Sequence, residues 1–233
     1  MKDDEIKAAA EQWARKNKKP FAKSLTNIDR YPGEESPVSV FMAGSPGAGK
    51  TETSKALSAR LNDGFLRIDP DDFRSSIPGY NGANSWLFQG AVSILLGRVL
   101  DCVFAQKQSF LLDGTLSNLQ QAIQNVERSL RKDRSVLILY VYQEPEQAWA
   151  FVKAREALEG RKIPADRFVE QFFAAHNVVN ELKVKFGSSI AIDVILKDID
   201  GKVRRYMGNV SDLKVAVPLI YSPAQIRQFV GSE

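Results

Sequence analysis

The octapeptide Gly44-Ser45-Pro46-Gly47-Ala48-Gly49-Lys50-Thr51 constrains this chain more than any other stretch. An apolar run, Val38 to Ala43, precedes it, and a helix-compatible segment, Glu52 to Leu61, follows it. Buried strand, glycine-rich turn and helix N-terminus, in that order, make a loop that cradles phosphate. The glycines let backbone N–H groups converge on a polyphosphate with no Cβ in the way, and the helix dipole adds partial positive charge there. In that setting Lys50 reaches the β- and γ-phosphates and the Thr51 hydroxyl sits on Mg²⁺. The reading is a nucleoside triphosphate site spanning Gly44 to Thr51, with Glu52 beside it.

Length and composition fit one α/β domain with room for appended pieces: 233 residues, 44% hydrophobic and 26% charged. The net charge of +4 suits anionic small molecules and is too weak and scattered to argue for nucleic acid. Cys102, the one cysteine, excludes an internal disulfide and reads as core packing. No secretory leader opens the chain and no apolar run is read as reaching spanning length, so the expectation is a cytoplasmic protein with no membrane partner.

Taken in order, Asp3 to Asn27 carries Ile6, Ala10, Trp13 and Ala14 at helical spacing, and Pro20 predicts a break followed by a second short helix near Phe21 to Thr26. Arg15, Lys16, Lys18 and Lys19 read as a solvated face. Tyr31 to Pro37 is a linker by its turn chemistry, which divides the chain into an N-terminal helical extension, 1–30, and a kinase-like domain, 36–233. Strands are expected at Phe65 to Ile68, Ser109 to Leu112, Val136 to Val141 and Ile190 to Ile195. Helices are expected at Ser85 to Ala105, Asn118 to Arg131, Glu144 to Glu159, Asp166 to Lys185 and Ser222 to Val230. Asp200-Gly201 before Val203 to Tyr206 predicts a β-hairpin. Alternating strands and helices imply a parallel sheet sandwiched between helices, with the second strand beside the loop strand.

Two strand ends are acidic, and ligands sit at that edge of a parallel sheet. A small-molecule kinase needs a carboxylate near the acceptor hydroxyl to take its proton. Asp71 is placed for that, while Asp69 or Asp113 supports Mg²⁺ or orients the acceptor. Asp72 reads as the N-cap or first-turn carboxylate of the helix at Phe73. Phosphoryl transfer also needs cations on the transferring oxygens, and Arg155 and Arg161 lie around Gly160 and Pro164, where a lid at about 150–168 is expected. Arg167 reads as solvated. His176 reads as a helix-face or interface residue, and Tyr80, Trp86 and Phe88 as core. No guanine-reading Asn-Lys-x-Asp motif and no full Walker B strand of the ATPase type are present, which favours a kinase over a motor or GTPase.

These motifs together resemble the zeta toxin family, over roughly Ser36 to Ile195: the glycine loop, Ile68-Asp69-Pro70-Asp71-Asp72-Phe73, Asp113-Gly114-Thr115, then Arg155 and Gly160-Arg161. The resemblance implies an ATP- and Mg²⁺-dependent P-loop kinase that phosphorylates a UDP-sugar such as UDP-N-acetylglucosamine and has an antitoxin protein as partner. By the same resemblance Asp71 is the catalytic base, Asp113 and Thr115 contact the sugar nucleotide, and Arg155 and Arg161 face the ATP phosphates. Three departures concern the acceptor side. The family's glutamate before Gly-Thr is Asp113 here. Ser117 stands near the place of an arginine, and an acidic residue on the preceding helix has no clear counterpart near Gly97 or Arg98. A kinase for another nucleotide, sugar or antibiotic, or a non-catalytic ATP-binding regulatory module, are the alternatives.

Overall fold

The computed structural model describes residues 2–60, 65–160 and 162–231. The apolar run ahead of the glycine loop becomes strand β1 (Val38–Ala43), buried along almost its whole length. It is joined by β2 (Leu66–Ile68), β3 (Phe110–Leu112), β4 (Ser135–Tyr142), β5 (Ala191–Lys197) and β6 (Val203–Met207). The six strands form one sheet in the order β2-β3-β1-β4-β5-β6. All neighbours are parallel except β5 and β6, which make the expected antiparallel hairpin.

The second strand does not adjoin the loop strand: β3 lies between them, pairing with β1 on one side and with β2 on the other. The acidic end of β3 therefore stands next to the glycine loop, with that of β2 beyond it.

Helices α1 (Asp3–Leu25), α2 (Lys50–Arg60), α3 (Gln89–Ala105), α4 (Leu119–Leu130), α5 (Pro145–Glu159), α6 (Ala165–Phe186), α7 (Leu213–Ala216) and α8 (Pro223–Val230) complete the chain. Local sequence explains several ends. The Asn118 side chain caps α4 by accepting from the Gln121 N–H, Gly160 ends α5 in the left-handed region, and Ser222 with Gln225 closes a capping box on α8 behind Pro223. The predicted stop at Asn62-Asp63-Gly64 lies outside the described residues. Ser85–Phe88 forms a 3₁₀ turn that leads into α3 rather than part of it.

Pro20 does not divide α1, which runs unbroken from Asp3 to Leu25. The proline is exposed, so its missing N–H and any local bend fall on the solvent side. Ala10, Ala14 and Ala22 are buried on the other side, where α1 packs along α3. That packing outweighs the roughly 3 kcal/mol local penalty of an interior proline. Ser85–Ala105 is in fact long and apolar enough to cross a membrane, contrary to the sequence reading. In the fold its apolarity serves the core: Leu95, Val99 and Val103 are fully buried between α1 and the sheet.

One face of the sheet carries the larger core, with residues of α1, α3, α4 and α6; the other carries a smaller cluster that includes Leu57 of α2. Buried Arg134 fastens the amino ends of the strands, donating to Ser39 Oγ (2.7 Å) and to the Val38 and Gln108 carbonyls. Gln108 in turn donates to the Thr26 and Tyr31 carbonyls, which ties the end of α1 to the sheet.

His176, on α6, is a buried joint, 2% exposed. Its Nε2–H donates to the Val217 carbonyl at 2.9 Å, Asn180 Nδ2 donates to Nδ1 at 3.2 Å, and its ring meets Tyr140 edge-on. Burial lowers its pKa below the usual 6.5. The unfolded chain therefore binds a proton more readily, so this contribution to stability is present above about pH 6.5 and lost as pH falls through the folded pKa. The melting temperature is expected to fall from pH 7 to pH 5, and His176→Gln should flatten that slope in a thermal melt series; an unchanged slope would remove His176 from the account.

Candidate active site

The turn from β1 into α2 approaches neighbouring backbone so closely that side chains have no room. A Cβ on Gly44 would lie 2.2 Å from the Val141 carbonyl oxygen, and one on Gly47 would lie 2.0 Å from that of Ala148. Gly47 also has φ +73°, a conformation that glycine alone adopts cheaply. Lys50 is folded back over this loop, its Nζ donating to the carbonyls of Ser45 (2.6 Å) and Gly44 (3.0 Å). Burial lowers the ammonium to a pKa of about 8, against the pull of Asp113 and Asp71.

A cavity of about 950 Å³ opens from the loop across the carboxyl edge of the sheet. Gly47, Gly49, Lys50, Thr51, Glu52 and Arg155 line one end. Gln89, Ser93 and Leu96 of α3 and Gln121 and Asn125 of α4 line the other, while Thr115, whose carbonyl accepts from the Gly44 N–H at 3.3 Å, lines it beside the loop. Asp69, Asp71 and Asp113 stand between the two ends.

The strand register brings the acids together. Ile68 pairs with Leu112, and the Asp113 N–H donates to the Ile68 carbonyl at 2.8 Å, so Asp69 and Asp113 emerge side by side. Arg67, one turn of the pleat earlier on the same face as Asp69, reaches both. Its Nη2 lies 2.5 Å from Asp69 Oδ2 and 2.7 Å from Asp113 Oδ2. Its Nε donates to Ser54 Oγ of α2 at 2.8 Å, and Ser54 Oγ donates to Asp113 Oδ2 at 2.7 Å. The Asp69 carboxyl is nonetheless pushed up to about 6, first by burial and then by Asp113, Asp72 and Asp71, with Arg67 pulling the other way.

Asp71 is 43% exposed at its side chain and is held by an ion pair with Arg74. Arg74 is buried and donates from Nη2 to Gln89 Oε1 at 3.1 Å, which links the acid to the first residue of α3. Asp72 is the first-turn carboxylate of a short 3₁₀ helix, one of the two places expected for it, and its Oδ2 lies 3.3 Å from Arg67 Nη1. The turn-closing carboxylate is Asp69, whose Oδ1 accepts from the Asp71 N–H at 3.0 Å.

Thr115 lines the cavity and shares a 3.0 Å hydrogen bond with Ser117 Oγ. Arg167 is largely exposed and paired with Glu170 at 2.7 Å, as a solvated arginine would be. Arg161 lies outside the described residues. Of the aromatics, Phe88 is fully buried, Tyr80 packs edge-on against it, and Trp86, expected in the core, is 62% exposed. Leu87 and Phe88 are the buried residues of that 3₁₀ turn.

Arg67, Arg74, Ser54 and Gln89 were absent from the sequence reading. Arg67 alone left a readable signal, a charge between two buried apolar residues, Leu66 and Ile68. The donor set suits a hard cation. Mg²⁺ bound with a nucleotide takes one or two protein oxygens and completes its shell with phosphate and water. The Thr51 hydroxyl and the Asp69 carboxylate are oxygens of that kind beside the phosphate loop.

A mostly parallel sheet with a phosphate loop after its inner strand and acidic ends on the next two strands defines a P-loop kinase-like fold. The sequence model described as zeta toxin matches residues 22–211, and the chain belongs to that family. The structure is similar to one from the PezAT chromosomal toxin–antitoxin system of Streptococcus pneumoniae, with TM-score 0.65 and 14% identity over 97% of this chain and 88% of that one. It is also similar to AvrRxo1-ORF1:AvrRxo1-ORF2 solved with sulphate ions, with TM-score 0.59 and 18% identity over 88% of this chain and 65% of that one. The same complex solved with ATP gives TM-score 0.57 at 17% identity, over 88% of this chain and 65% of that one. No curated protein matches in sequence.

The loop geometry predicts opposite outcomes for two glycines. Gly47→Ala should destabilise the fold by roughly 1–3 kcal/mol through strain at positive φ, with the Ala148 contact adding to it. Gly97→Ala, in α3 with nothing within 4 Å of a new Cβ, should stabilise it by roughly 0.5–1 kcal/mol. Urea unfolding of both variants checks the pair.

Proposed function

We propose that this chain transfers the γ-phosphate of ATP to a hydroxyl group of a small-molecule acceptor, a UDP-sugar such as UDP-N-acetylglucosamine, with Asp71 as the base. The observation that carries the reading is one cavity that joins the phosphate loop, Asp71 and a recess walled by α3 and α4. The acceptor class comes from zeta toxin family membership, and ATP from the phosphate loop together with the ATP-bound AvrRxo1 structure.

Lys50 exchanges its two loop carbonyls for phosphate oxygens, whose negative charge favours the ammonium form. Arg155 adds a second cation at the same end. Asp71 accepts the acceptor's proton as the oxygen attacks, and Arg74 keeps that carboxylate aimed at the cavity. Thr51 and Asp69 would hold Mg²⁺, whose chemistry is to neutralise charge on the β- and γ-phosphate oxygens. Asp113 and Thr115 orient the acceptor from the end of β3, and the segment 150–168, with Arg161, closes over the phosphates as a lid. An antitoxin protein covers the site, a reading supported by the toxin–antitoxin system to which the PezAT structure belongs.

A second reading is a kinase for a different hydroxyl acceptor. It is favoured by Asp113, whose Oδ2 is taken by Ser54 and Arg67, and by the neutral amides Gln89, Gln121 and Asn125 in the recess. Transfer from γ-labelled ATP into a panel of UDP-sugars, nucleosides, free sugars and oligonucleotides decides between them. ATP binding with no consumption would instead favour a regulatory module.

Asp71→Asn should lower transfer by about 10²–10⁴-fold, the usual worth of a general base, with ATP affinity nearly retained. Undiminished turnover would end the assignment. Lys50→Met should act on the other side. Saturating MgATP, at about 100 times Kd, stabilises a binding-competent protein by roughly 2.7 kcal/mol. The variant should lose most of the corresponding rise in melting temperature.

A further inference from the structure

We propose that Arg67 is a cation built into the acidic floor of the site, occupying the place between Asp69 and Asp113 that a divalent ion would otherwise bridge. The ion then enters with the triphosphate and not before it. The inference rests on the reading of Thr51 and Asp69 as the ion's oxygen ligands, and it extends that reading to the nucleotide-free protein.

One nitrogen, Arg67 Nη2, touches Oδ2 of Asp69 at 2.5 Å and Oδ2 of Asp113 at 2.7 Å. Those distances exceed the roughly 2.0–2.1 Å of a Mg–O bond by little more than half an ångström. Two carboxylate oxygens that converge so closely on one centre need positive charge there. The guanidinium meets that need with charge-assisted hydrogen bonds to both. The remaining donors hold it in place: Nε is spent on Ser54 Oγ at 2.8 Å, and Nη1 faces Asp72 at 3.3 Å. Only 16% of its side chain is exposed, so little of its charge is shared with solvent. The register of β2 and β3 sets the arrangement, since Arg67 pairs with Leu111 and both acids follow two residues later.

A consequence concerns Asp113. With Oδ2 engaged by Arg67 and Ser54, its other oxygen is the one left for a ligand in the cavity. Arg67 is thus a positioning residue for Asp69 and Asp113, acting through them and not on the transferring phosphate.

The test is a titration of Mn²⁺ alone into the nucleotide-free full chain, followed by electron paramagnetic resonance. Wild type should take up no stoichiometric ion at about 0.1–1 mM, the range of weak oxygen-ligand sites. Arg67→Met, with the two carboxylates released, should bind one equivalent in that range, and adding Asp69→Asn to it should abolish the gain. Arg67→Lys keeps a charge in place and should remain without a site. If Arg67→Met does not fold, as judged by circular dichroism, Arg67→Gln replaces it, since its amide can still bond Ser54. Stoichiometric uptake by wild type overturns the inference whatever the variants do, and so does absence of uptake by a folded Arg67→Met or Arg67→Gln. The readout needs neither ATP nor an acceptor, so failure of the transfer assay and failure of this inference are separate results.

Discussion

Charge balance at the carboxyl edge of three adjacent strands governs the arrangement of the whole site. Asp69, Asp71 and Asp72 after β2 and Asp113 after β3 gather at one edge of the sheet, and mutual repulsion at that density would drive them apart or protonate them. Arg67 and Arg74 prevent this from within, one binding Asp69, Asp113 and Asp72, the other binding Asp71. Lys50 borders the same group and feels Asp113 and Asp71. Anionic substrate phosphates therefore meet a surface that is already paired, and the cations must exchange partners when they arrive.

The sheet order makes this possible. With β3 inserted between β1 and β2, the acidic ends of β2 and β3 lie in sequence beside the phosphate loop. Had β2 adjoined β1, the acidic end of β2 and not that of β3 would stand next to the phosphate loop. The long connection from β2 to β3 also carries α3, whose first residue, Gln89, holds Arg74. The element that walls the acceptor recess thus steadies the proposed base.

Much of this was legible in the sequence because it is local. The glycine loop, its strand and its helix are contiguous, and the acidic residues follow apolar runs that had to be buried strands. The caps on α4 and α8 and the stop at Gly160 are likewise short-range. What escaped was long-range. Pro20 sits inside a helix because α3, far along the chain, supplies the packing. His176 is a joint only because Val217 returns to it. Arg67 looked like an isolated charge in a strand, and its partners depend on a strand register that no single segment encodes. Trp86 shows the reverse error, since apolar character suggested burial and a 3₁₀ turn placed it outside.

The two ends of the cavity are also specified in different ways. At the phosphate end the backbone decides: Gly44 and Gly47 pass so close to Val141 and Ala148 that the loop has one path, and any chain with that path presents the same N–H groups. At the acceptor end the side chains decide, and they come from α3, α4 and the tip of β3. Asp113 spends Oδ2 on Ser54 and Arg67, and Ser117 shares a hydrogen bond with Thr115. None of these contacts involves the backbone path of the loop. A chain can therefore keep the phosphate loop whole while the side chains of the recess change, and what the recess admits depends on those side chains rather than on the loop.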